Sequence, residues 1–94
     1  MKPRWLYNVF NTYGDWYTAI IEGTQHEVAK YCASKAREMR DENRDEFSAG
    51  DCSLKDWKMT DGYMEGAVMF HEFTVYIVAQ PIEECEVRQI GADT

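Results

Sequence analysis

The sequence predicts an α+β domain: an antiparallel sheet of four to five strands in the order β-β-α-β-β, with one amphipathic helix packed across one face. Three observations carry this expectation. Residues 5–10 and 16–21 are dense in aromatic and branched side chains and flank the turn-forming stretch NTYGD. A capped segment with apolar residues at steps of three and four starts at Thr24. The longest β-prone run, AVMFHEFTVYIVAQ at 67–80, comes after it.

Residues 5–10 and 16–21 read as a β-hairpin, with Asn11, Gly14 and Asp15 supplying the turn chemistry. Side chains alternate across a strand, so Trp16, Thr18 and Ile20 share one face while Tyr17, Ala19 and Ile21 share the other. Both faces are largely apolar. One is expected to meet the helix, and the other is not fully wetted by polar side chains.

Thr24 followed three residues later by Glu27 fits a capping box, in which the threonine oxygen takes the Glu27 amide and the glutamate returns to the Thr24 amide. Val28, Cys32, Ala36 and Met39, with Ala29 and Ala33 beside them, form a narrow apolar stripe. Lys30, Arg37, Glu38 and Asp41 take the opposite side. A helix of about twenty residues would be ~30 Å long, more than one small sheet needs, so its end at 40–44 is expected to project or fray.

The stretch DENRDEFSAGDC then reads as a charged exit loop. In SLKDWKM, Ser53 with Asp56 would cap a short helix, while Leu54, Trp57 and Met59 suit a strand; the strand is preferred. Asp61-Gly62 is a hairpin-turn signal and Gly66 a candidate bulge. Taken as one strand, 67–80 puts Met69, His71, Phe73, Val75, Ile77 and Ala79 on one face and Phe70, Glu72, Thr74, Tyr76 and Val78 on the other. Pro81 closes it, because proline cannot donate to a ladder. IEECEVRQI adds a short edge strand, and GADT is a tail.

Ninety-four residues make one domain, 1–94, with material for one core. No apolar run is long enough for a signal segment or a membrane span, and Cys32, Cys52 and Cys85 form neither a C-x-x-C pair nor an even disulfide set. A cytoplasmic, reducing setting is the expectation.

The Gly23-Thr24 joint resembles a phosphate cradle only in having a glycine before a helix. A cradle needs several free amides, and here Glu22 and Glu27 bring negative charge to the joint, so a structural corner is expected. A thiol nucleophile needs a nearby base and a setting that favours thiolate. Cys32 lies on the buried stripe, Cys85 sits among Glu83, Glu84 and Glu86, and Cys52 follows Asp51. His26 falls in the first helical turn and His71 within the long strand. No spacing selects a metal set, so neither enzyme chemistry, a metal nor a cofactor is expected.

Charge is more informative. The net charge is −7, and residues 45–94 hold eleven acids against three bases, while residues 1–24 hold two of each. Such a field repels nucleic acid and anionic membrane and attracts a basic protein. A partner-binding surface is therefore expected from Asp45, Glu46, Asp51, Asp56, Trp57, Asp61, Glu65, Glu83, Glu84 and Glu86. Trp5, Phe70, Phe73 and Tyr76 divide between core and an exposed patch.

In size and charge the chain resembles small acidic phage-encoded inhibitors, anti-CRISPR proteins and DNA mimics among them. That resemblance implies a non-enzymatic inhibitor whose carboxylates stand in for phosphates on the basic nucleic-acid-binding surface of another protein. It is one of composition and carries over no residue. Two other classes compete: a structural homodimer or complex subunit using an aromatic sheet face, and a small thiol enzyme or ligand-binding domain.

Overall fold

A computed structural model describes residues 2–50, 58–60 and 62–82. β1 (Arg4–Asn11) and β2 (Trp16–Glu22) form the hairpin, and α1 (Gln25–Glu42) follows. One 3-10 turn (Arg44–Glu46) leads into β3 (Phe47–Gly50), and β4 (Lys58–Thr60), β5 (Tyr63–Phe70) and β6 (Thr74–Pro81) complete the order. The sheet is antiparallel and runs β2-β1-β6-β5-β3. β4 also pairs with β5, at Tyr63 to Glu65, while β3 pairs with Val68 to Phe70. β3 and β4 thus lie end to end along one edge, and the strands fill five positions.

The expected α+β architecture is present, and its local causes are visible. The Asn11 side-chain oxygen accepts from the amides of Tyr13 and Asp15, and Gly14 takes φ +94°, which closes the first hairpin. At the helix start, Thr24 Oγ1 accepts from the Glu27 amide at 3.2 Å and Glu27 Oε1 from the Thr24 amide at 2.9 Å. Val28, Ala29, Cys32, Ala33 and Ala36 are buried against Trp5, Tyr7, Met64, Val68, Ile77 and Ala79. The small residues on the stripe let the helix settle close to the sheet.

The helix end does not fray. Asn43 caps it, its amide reaching the Met39 and Arg40 carbonyls and its side chain donating to Met39. Asp41 then accepts from both Arg40 and Arg44 at 3.0 and 3.1 Å, and their pull holds its carboxyl below the usual range.

Further expectations are overturned. The charged exit loop contains β3: Phe47 packs edge-on against Phe70 at 6.3 Å, and Gly50 runs so close to β5 that a Cβ there would lie 2.7 Å from the Ala67 carbonyl oxygen. An apolar anchor and a glycine inside an acidic run are what charge counting conceals.

The run 67–80 is not one strand. It is two, joined at His71-Glu72, where the Phe70 amide donates to the Phe73 carbonyl at 2.8 Å. One local stack and two tertiary contacts hold this turn in place of Gly or Asn: Phe70 stacks on Phe73 at 4.8 Å, the His71 amide donates to the Glu46 carbonyl, and the Tyr13 hydroxyl to that of Glu72. The turn reverses the parity of the buried face. Even positions Met64, Val68 and Phe70 are buried in β5, and odd positions Val75, Ile77 and Ala79 in β6, so Met69 is 43% exposed and Phe70 5%. His71 lies exposed in the turn.

Gly66 stands in plain register with Ile77, and the register shift falls instead between Phe47 and Ala49 on β3. Gly62, at φ +83°, closes the short β4–β5 connection. The helix-or-strand choice at 53–57, the edge strand expected after Ile82, Cys52 and Cys85 lie outside the described residues.

Candidate protein-binding surface

Strand parity and pairing build one face of the sheet away from the helix. Phe10 stands opposite Trp16 on one side and Tyr76 on the other, and Ala67 pairs with Tyr76. Residues directly opposite across antiparallel strands share a face. Trp16, Phe10 and Tyr76 therefore form a row across β2, β1 and β6. Their rings are stacked at 5.8 Å (27°) and 5.3 Å (23°).

This row is open to solvent. Trp16 is 71% exposed, Ile20 60% and Tyr76 39%. The next row carries polar order: Trp16 Nε1 donates to Thr18 Oγ1 at 2.6 Å, and the Thr18 hydroxyl donates to Asn8 Oδ1 at 2.8 Å. Beyond Tyr76 the face dips into a shallow depression of about 320 Å³ lined by Phe10, Tyr63, Glu65, Ala67, Tyr76 and Val78. The Tyr63 hydroxyl donates to Glu65 Oε2 at 2.8 Å, and that bond raises the phenol's pKa. The depression is mainly apolar with one carboxylate at its side.

Of the expected acidic residues, Asp45, Glu46 and Glu65 can be placed. Asp45 and Glu46 are exposed in the 3-10 turn, where Glu42 adds a third carboxylate beside the Arg40–Asp41–Arg44 group. Glu65 is half-buried on the open face. The structure does not bring it to the other two: Phe47 pairs with Phe70, five residues along β5 from Glu65, a separation of roughly 17 Å. Asp51, Asp56, Trp57, Asp61, Glu83, Glu84 and Glu86 lie outside the described residues.

The aromatic expectations divide. Trp5 and Phe70 are core, Phe73 is half-buried, and Tyr76 is exposed. Trp16, Phe10 and Ile20 were missing from the expected surface, although the two-sided apolar alternation of 16–21 was the signal for them.

Two further candidates, the Gly23-Thr24 joint and Cys32, lie among the described residues. At the Gly23-Thr24 joint the Thr24 and Glu27 amides are taken by the capping box, the Gly23 amide donates to Pro3, and the Gly23 carbonyl accepts from Trp5 Nε1 at 2.9 Å. Glu27 is also paired with Lys2 at 2.8 Å; the ammonium's hydrogen bond, then the Thr24 amide, hold its carboxyl down at about 2. Cys32 is a free thiol with no exposed surface, and burial pushes its pKa up to about 12, opposite to what a nucleophile needs. Burial likewise raises the Tyr7 phenol, which lies edge-on to Tyr17 and Tyr31. Among the described residues no group of three or more His, Cys, Asp or Glu side chains converges on a metal position, and no helix is long and apolar enough to cross a membrane. No protein-family model, curated protein or solved structure matches the chain.

Proposed function

We propose that this chain is a non-enzymatic protein-binding module that engages a basic partner, with the uncovered face of its sheet as the contact surface. The observation that carries the reading is the stacked Trp16–Phe10–Tyr76 row, exposed on a molecule of net charge −7. Aromatic anchors supply desolvation energy at the centre of an interface, and the molecule's net negative charge speeds encounter with a positive surface. In its sharpest form the module is an inhibitor that occupies a nucleic-acid-binding surface, its carboxylates in place of phosphates. A cytoplasmic setting goes with this reading, since Cys32 is a free thiol.

Immobilised wild-type chain and a Trp16→Ala/Tyr76→Ala double variant, exposed to the same cell extract, test it. Expected is a basic protein retained by wild type, released by salt, and absent from the variant. Equal retention by both chains, or retention indifferent to salt, contradicts the reading. A second reading, self-association, is favoured by the outer edge of β2.

A further inference from the structure

We infer that the outer edge of β2 is a self-pairing site, where a second copy of this chain adds its own β2 antiparallel and joins two sheets into one. The inference does not rest on the basic partner, because its hydrogen bonds come from the backbone edge of β2; of the stacked row, Trp16 alone borders both surfaces.

The backbone geometry identifies which groups are available. The Asn11 amide donates to the Asp15 carbonyl at 3.1 Å and the Gly23 amide to the Pro3 carbonyl at 3.0 Å, so odd-numbered residues of β2 turn their backbone groups toward β1. Trp16, Thr18, Ile20 and Glu22 turn theirs outward. Among the described residues no strand pairs with that edge.

Proteins usually blunt such an edge with Lys, Pro, a bulge or a covering element. β2, WYTAIIE, has no Lys or Pro, and its register with β1 runs without a shift from Trp16 to Glu22. Apolar side chains stand exposed on both sides of it. Trp16 and Ile20 are on the open face; Tyr17, 59% exposed, is on the helix face with Tyr31 of α1 nearby around Tyr7. A strand docking between them would bury apolar surface above and below the new ladder.

The occupant is a second copy because of charge and register. A two-fold contact sets each patch against itself, so a strongly charged patch would repel its own image. Residues 1–24 carry two acids and two bases in a molecule of −7, which makes this the neutral quarter of the chain. Pairing about a two-fold at Ala19 sets Trp16 against the second copy's Glu22 and Thr18 against its Ile20. Every cross-edge hydrogen-bonded pair then uses outward residues on both strands, and no like charges face each other.

The test is mass in solution by sedimentation, across protein concentration and salt. Wild type is expected to pass from monomer to twice the monomer mass as concentration rises. Added salt should strengthen the dimer, since it screens repulsion between two copies of −7; binding to a basic partner should weaken under the same salt. Ile20→Pro removes an outward amide and none that reaches β1, and should remain monomeric with an unchanged circular dichroism spectrum. Should it fail to fold, Ile20→Lys at the same exposed position is expected to stay monomeric. Amide exchange supplies a further readout: Trp16, Thr18, Ile20 and Glu22 should slow with concentration while other exposed amides do not. Tyr76→Ala should still dimerise although it loses the basic partner, which separates failure of one reading from failure of the other. A wild-type chain monomeric at its highest soluble concentration overturns the inference. So does a dimer that persists in Ile20→Lys with fast-exchanging outward amides.

Discussion

The two faces of the sheet are made of different materials. The helix-covered face is mainly aliphatic and closed, with Met64, Val68, Ile77 and Ala79 against Val28, Cys32, Ala33 and Ala36 and almost no surface left to water. The open face carries the stacked Phe10, Trp16 and Tyr76 rings, with Trp16 and Tyr76 exposed. Aliphatic packing at native density is what a small domain needs to fold. Large rings left at the surface contribute less to folding and are the side chains that dominate interfaces. In the proposed reading, folding and binding thus fall to opposite sides of one sheet.

Substitutions should separate the two faces by size of effect. Met64→Ala removes a fully buried side chain from the closed face and is expected to cost about 2–5 kcal/mol in urea unfolding. A cost below about 1 kcal/mol would show that the helix face is loosely packed. Thr24→Ala should cost about 0.5–2 kcal/mol through loss of the cap that aims the helix at that face, with partner binding intact. Unchanged stability with lost binding would return the Gly23-Thr24 corner to the list of sites. On the open face, Trp16→Ala gives up one intramolecular ring stack and should cost roughly 0.5–1.5 kcal/mol in urea unfolding, while a partner bound at the proposed surface should dissociate faster.

The smallest effect concerns acid. The Glu27 carboxyl is depressed from 4.5 to about 2, so its stabilising contribution is present above pH 4.5 and is lost as pH falls through 2. The stability gap between wild type and Glu27→Gln should therefore narrow over that window, as measured by melting at each pH. A gap that stays constant from pH 5 to 2 would mean that neither Lys2 nor the cap engages Glu27 in solution.

What could be read from the sequence was what local chemistry writes. The Asn11–Asp15 turn and the Thr24–Glu27 box each close within a few residues, so both could be located without the fold. The His71-Glu72 turn could not, because Glu46 and Tyr13 hold it from elsewhere in the chain, and an unbroken β-prone run hides a reversal that has no Gly or Asn. β3 was hidden for the same reason, since Phe47 becomes an anchor only once Phe70 is beside it. In the sequence the proposed binding surface is legible mainly through its acids. Asp45 and Glu46 do lie exposed, but Glu65 is far from them, and the exposed row through Trp16 was announced only by the two apolar faces of 16–21. Net charge can be counted without a fold; which side a helix covers cannot.

Oxidative footprinting of the chain with its retained basic partner bound, at a dilution that keeps the free chain monomeric, tests the division of faces most directly. Expected is protection of Trp16, Phe10, Tyr76 and Met69, with Tyr31 on the helix side oxidised as fast as in the free protein. Protection centred on Tyr31 and the helix, with Trp16 and Tyr76 still fully reactive, would contradict it.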